Sequence, residues 1–162
     1  MSLSESKGEY KSDQLNEEED GLIRVNHIRV GPSFCPISDP LDIVMSYTLS
    51  ENVAGAQWNF AYLVDSVRKR HLVQLGRGGD GEALVAGAPQ TLSFRTGEID
   101  VGHLKPSQLC NAGLLILTLH GRTAGDLEDT ELGCIQLVVQ AMPAGAGDPS
   151  GSFLRSILNP WE

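Results

Sequence analysis

The sequence predicts an all-β protein: an immunoglobulin-like Greek-key β-sandwich of about seven strands, preceded by a disordered acidic N-terminal tail. Three observations lead there. Apolar and polar residues alternate with a period of two in several segments, turn-forming residues interrupt them about every 8–12 residues, and no convincing amphipathic helix appears between them. With 162 residues, 41% of them hydrophobic and 20% charged, the chain is large enough for one domain with a real core. The expected division is a tail over 1–20, the sandwich over 21–142, and a flexible linker with a short helical or docking tail over 143–162.

Residues 1–20 are polar and carry the run Glu17-Glu18-Glu19-Asp20, with too little apolar surface to offset the entropy of ordering. The first strand spans residues 22–30, rich in β-branched residues and stopped by Gly31-Pro32. Three prolines then mark an extended connection. Leu41, Ile43, Met45, Tyr47 and Leu49 alternate with Asp42, Val44, Ser46, Thr48 and Ser50, the pattern of a strand with one buried face. Residues 50–56 read as a loop. Over residues 57–65, Trp58, Phe60, Tyr62 and Val64 fall on one side and supply an aromatic core.

The basic turn Arg68-Lys69-Arg70 leads to a short strand over 71–75, which the glycine run at 76–81 is expected to end as a mobile connection. A short strand follows at 91–95. The run Gly113-Leu-Leu-Ile-Leu-Thr-Leu-His120 is the most apolar in the chain and suits a central strand, and residues 132–140 form the last long one. In the C-terminal tail Phe153, Leu154, Ile157, Leu158 and Trp161 have helix-like spacing.

Charge narrows the function classes. Twelve Lys and Arg against 21 Asp and Glu give a net charge of −9, with −5 of it on residues 1–20. No net positive field exists to collect phosphates, which disfavours direct nucleic-acid or anionic-membrane binding. There is no apolar run of about 18–20 residues and no signal-peptide pattern at the start, so the expected location is the nucleus or cytoplasm, not secretion. Cys35, Cys110 and Cys134 lack a Cys-x-x-Cys spacing and are expected to stay reduced, with Cys110 and Cys134 read as small buried apolar residues instead of a redox pair.

Catalytic signatures such as Gly-x-Ser-x-Gly, His-Glu-x-x-His and Gly-x-x-x-x-Gly-Lys-Ser do not occur. His27 and His120 lie in predicted strands and His71 and His103 near turns, with no metal-ligand spacing among them. The glycine run lacks the Lys-Ser or Lys-Thr of a phosphate loop and carries Asp80, which repels phosphate. The expectation is no enzyme, no cofactor and no metal.

The order of elements resembles the anti-silencing-function histone chaperones. The resemblance rests on Val25-Asn26-His27-Ile28-Arg29-Val30, the proline-rich link, the alternating strand at 41–49, and Trp58-Asn-Phe-Ala-Tyr62. It continues through Gly113-Leu-Leu-Ile-Leu-Thr-Leu119, Glu131-Leu-Gly-Cys-Ile-Gln-Leu-Val-Val139 and Ile157-Leu-Asn-Pro160. It implies a sandwich, monomeric when free, that binds the histone H3–H4 dimer without catalysis or cofactor. Leu114 and Ile116 would take the H3-facing strand position. Cys110 stands where the family has a histone-contacting aspartate, Cys134 where it has an arginine, and Val138 where it has a tyrosine. Ala54-Gly55 replaces an acidic pair, and Arg68-Lys69-Arg70 replaces an acidic stretch. The resulting expectation is a non-catalytic protein-binding module acting on H3–H4 or another protein, with a scaffold subunit of a cytoskeletal or ciliary assembly as the alternative.

Overall fold

The computed structural model describes residues 21–65, 67–143 and 153–161, and places them in two antiparallel sheets. The tail at 1–20, expected to be disordered, and the linker at 144–152 lie outside the described residues. Strands β1 (Ile23–Gly31), β3 (Asp42–Leu49) and β6 (Gln90–Arg95) form a three-stranded sheet in the order β1-β3-β6. The other strands are β2 (Cys35–Pro36), β4 (Val53–Val64), β5 (His71–Leu84), β7 (Gly113–Arg122), β8 (Thr130–Pro143) and β9 (Phe153–Leu158). They form a six-stranded sheet in the order β2-β9-β8-β7-β4-β5. The chain passes between sheets after β1, β2, β3, β5 and β6, giving the immunoglobulin-like Greek-key sandwich that the alternation predicts.

The core forms where the buried parities of the two sheets meet. Ile43, Met45, Tyr47 and Leu49 of β3 face Trp58, Phe60, Tyr62 and Val64 of β4 and Leu115, Leu117 and Leu119 of β7. The Trp58 indole nitrogen donates to the Tyr47 hydroxyl at 3.2 Å, and the two rings meet edge to face at 5.3 Å between centroids.

Several expectations need correction. The loop expected at 50–56 is half strand, since β4 already begins at Val53. The glycine run does not end a strand; it lies inside the 14-residue β5, where Gly76 and Gly78 pair with Phe60 and Trp58. These glycines make room for rings. A Cβ on Gly76 would stand 2.7 Å from Cζ of Phe94, which stacks on Phe60 at 4.1 Å, and a Cβ on Gly78 would stand 3.2 Å from Phe60.

The tail expected to be helical is strand β9, inserted between β2 and β8, so the described residues hold nine strands instead of seven. Its alternation buries Phe153 and Arg155. The sequence hides this because Arg155, 1% exposed, sits at an inward position. Its guanidinium donates to the carbonyls of Pro32 (3.0 Å), Ile37 (3.4 Å), Pro40 (2.9 Å) and Asp39. The proline-rich link, poor in N–H donors and left with unpaired carbonyls, is thereby held by one cation. Burial lowers the pKa of Arg155, against the opposing influence of Cys35, Asp39 and Tyr62. One helical turn, α1 (Pro106–Leu109), precedes β7.

Candidate functional site

Parity decides which residues of the large sheet face away from the core. Leu115, Leu117 and Leu119 are fully buried, so Leu114, Ile116 and Thr118 project outward from β7. The registers then align one apolar row across five strands. Leu72 of β5 stands opposite Leu63 of β4, Leu63 opposite Leu114, Leu114 opposite Val138 of β8, and Val138 opposite Leu158 of β9. Leu72 is 55% exposed and Leu158 48%, while Leu114 and Val138 are half-buried. Below it runs a mixed row: Gln74, Ala61, Ile116 and Gln136. Exposed Val67 and the exposed basic residues Arg68, Lys69 and Arg70 border the apolar row at the β4–β5 turn.

Further down the same face the chemistry turns polar. Asn59 pairs across with Arg77 and Thr118, Thr118 with Cys134, and Gln57 with His120. Gln57, Asn59, Gln74, Arg77, His120 and Asp129 line a concavity of about 580 Å³. Asp129 is held at its rim by an ion pair with Arg122.

Of the residues singled out in the sequence, Leu114, Ile116, Val138 and Cys134 therefore share one face, and Leu114 and Val138 are direct cross-strand neighbours. Cys110 does not join them. It caps α1, where its N–H donates to the Pro106 carbonyl, and its side chain is exposed off the strand face. The expectation that Cys110 and Cys134 are buried fails, because both are exposed. Nor do Cys110 and Cys134 meet: Cys134 is opposite Thr118, five residues beyond the start of β7, which is roughly 16 Å of strand. Partial burial and Glu131 push the Cys134 thiol above its ordinary pKa, and Gln136 lowers it by a smaller amount. Such a thiol stays protonated at neutral pH and is a weak nucleophile.

The histidines stand on four different elements. His71 bonds Gln108 of α1, His103 lies 3.9 Å from Asp100, His27 is exposed on β1, and His120 lines the concavity. Sequence reading missed Leu63, Leu72 and Leu158. The outward parity of β4 and of residues 71–75 carried the first two as a signal. Leu158 was hidden once the tail was read as helical.

No protein-family model matches the sequence, and no curated protein matches it. Among solved structures, the chain is similar to the Pseudomonas fluorescens alkylpurine DNA glycosylase AlkC bound to DNA containing an abasic site analog. The two share 14% identity over 72% of this chain, with a TM-score of 0.40, and the match spans 30% of the length of that chain.

Proposed function

We propose that the chain is a non-catalytic protein-binding sandwich that engages its partner through the outer face of the six-stranded sheet, centred on Leu114 and Ile116, and that histone H3–H4 is the partner. The observation that carries the reading is the apolar row Leu72, Leu63, Leu114, Val138 and Leu158, set in register across five strands. Leu63 is only 9% exposed, and the other four residues present apolar surface along the outer sheet face, which marks an interaction site. The histone identity comes from the resemblance to the anti-silencing-function chaperones and from the outward parity of Leu114 and Ile116, the positions matched to the H3-facing strand. The exposed turn Arg68-Lys69-Arg70 repels a basic partner at one end of the row, so H3–H4 would approach from the β8–β9 side. Catalysis is not part of the reading, because Cys134 keeps its proton and stands far from Cys110.

Calorimetry of the full chain with H3–H4 at about 0.15 M salt tests this. The expected result is saturable binding that Ile116→Arg weakens by about 2 kcal/mol, or roughly 30-fold, with an unchanged thermal midpoint. No saturable binding by the wild-type chain removes the histone identity. An unfolded Ile116→Arg alongside a tolerated Leu115→Arg would show that the opposite face is the surface. Loss of a cellular, non-histone assembly partner on Ile116→Arg would favour the scaffold-subunit alternative.

A further inference from the structure

The three-stranded sheet has an outer face of different character. Its rows read Arg24 and Thr48; then His27, Ser46 and Thr91; then Arg29, Val44 and Ser93; then Gly31, Asp42 and Arg95. Arg24, His27 and Arg29 are exposed, as are Thr91 and Ser93. Both carboxylate oxygens of Asp42 accept from the same Arg95 nitrogen, Nη1, each at 3.0 Å, and the carboxylate is thereby neutralised. The face is thus a hydroxyl-lined surface whose charges without an ion-pair partner among the described residues, Arg24 and Arg29, are both positive, on a protein of net charge −9.

This arrangement depends on a bulge. Residues 24 and 29 differ in parity, so in a regular strand one of them would point into the core. The register of β1 on β3 shifts between Val25 and His27, and Asn26, the extra residue, bonds Thr48 through its side-chain amide at 2.9 Å. Arg24 stays opposite Thr48, while His27 and Arg29 come opposite Ser46 and Val44 on the same side. A bulge that re-aims side chains in this way brings both arginines to one surface.

We infer that this face is the docking surface for the chain's own acidic N-terminal segment, residues 1–20. Charge complementarity selects that occupant: seven acids against two lysines give the segment −5, and it joins the sheet one residue before Leu22, at the start of the strand that carries Arg24, His27 and Arg29. Reach is sufficient. Twenty residues can extend about 66 Å, against about 30 Å for β1, so Glu5, Glu9 and Asp13 can all reach the rows of β1, β3 and β6. Tethering supplies an effective concentration of about millimolar, enough for contacts that would be weak between separate molecules. A docked segment neutralises the positive face and is displaced by salt or by a more acidic competitor. This inference is independent of the partner proposed for the opposite sheet.

The test is nuclear magnetic resonance of the full chain, comparing wild type with Glu5→Gln/Glu9→Gln/Asp13→Asn, and separately with Arg24→Gln/Arg29→Gln. The acidic substitutions lie far enough from β1 in sequence that a change at His27, Arg29 or Ser93 requires contact. The expected result is that the first variant shifts the amide resonances of His27, Arg29 and Ser93 by more than their line widths, and the second shifts those of residues 5–13. Both differences should largely vanish as salt rises from about 0.05 to about 0.5 M, which shortens the screening length roughly threefold. Three outcomes overturn the inference: silent resonances in both variants, differences that persist at high salt, and differences that grow with protein concentration, which would make a second copy the occupant. The arginines are exposed, so the second variant is expected to keep the wild-type fold; the first leaves the described sheets untouched and reads the same contact if it does not.

Discussion

Replacing Arg155 with methionine keeps the length and apolar stem of the side chain and removes only the guanidinium. In the wild-type chain that group is buried and donates to four carbonyls of one link, those of Pro32, Ile37, Asp39 and Pro40. Two effects compete. Removing a buried cation relieves its desolvation, which for a salt bridge exchanged whole for apolar residues is often neutral or stabilising. Here the partners are backbone and cannot be exchanged, so the Ile37, Asp39 and Pro40 carbonyls lose this donor and Pro32 keeps only the weak Cys35 thiol, at about 1 kcal/mol or more for each carbonyl shielded from water. The second effect wins, and with about 1 kcal/mol or more lost at each carbonyl that loses its donor, Arg155→Met should cost about 3–5 kcal/mol. At about 4 °C per kcal/mol for a chain of this size, the thermal midpoint falls by roughly 12–20 °C. Urea unfolding gives the free energy directly. Arg155→Lys should recover only a minor part, because one ammonium cannot reproduce a planar fork that spans four acceptors. A loss below about 1 kcal/mol for Arg155→Met would refute the view that this cation holds the link.

Three more residues carry predictions: Tyr62 and Gly76 in the sandwich and the exposed Cys134. The Tyr62 hydroxyl is buried and has no hydrogen-bond partner among the described residues, so Tyr62→Phe should leave stability at pH 7 unchanged or raise it by up to about 1 kcal/mol; a loss larger than that would reveal a partner. Burial pushes its pKa up from 10.0 to about 12 despite Arg155, so wild type loses stability as pH rises through 10 to 12, on the order of 2–3 kcal/mol, and urea titrations of Tyr62→Phe should show that loss reduced. Gly76→Ala sets a methyl against Phe94 at a φ of +142° and should cost about 2–3 kcal/mol, with at least about 1 kcal/mol recovered in a double variant with Phe94→Ala; strict additivity would refute the contact. At pH 8 Cys134 should alkylate more slowly in the folded chain than in urea, its rate still climbing above pH 9, and an equal rate in both states would contradict its raised pKa.

What could be read in the sequence was whatever a single strand encodes alone. The alternation of residues 41–49 and the parity of Trp58, Phe60, Tyr62 and Val64 fix buried faces locally, and both appear as expected. The outward positions of Leu114 and Ile116 were not legible this way, because residues 114–117 are apolar on both parities; the resemblance alone suggested them until the complete burial of Leu115, Leu117 and Leu119 showed which parity faces the core. Features set by a distant partner were not legible. A glycine run reads as a break until Phe94, from another sheet, is seen to need the space that side chains would fill. Nothing in the tail marks Arg155 as buried until the carbonyls of a link more than a hundred residues earlier are brought to it. The bulge at Asn26 leaves no mark in the alternation that distinguishes it from an irregular strand.

The glycines of β5 also govern what the margin of the large sheet offers to other chains. β5 is the outermost strand, bonded on one side only, to β4, and an edge of 14 residues is long enough to template a foreign strand. Gly76, Gly79 and Gly81 all take positive φ, which turns successive amides out of the regular alternation that an incoming strand must match. An intruder therefore finds regular rows of donors and acceptors only in two short stretches, residues 71–75 and 82–84, divided by the glycines, and Gly76, which makes room for Phe94 inside the sandwich, also interrupts the edge that a foreign strand would have to match outside it.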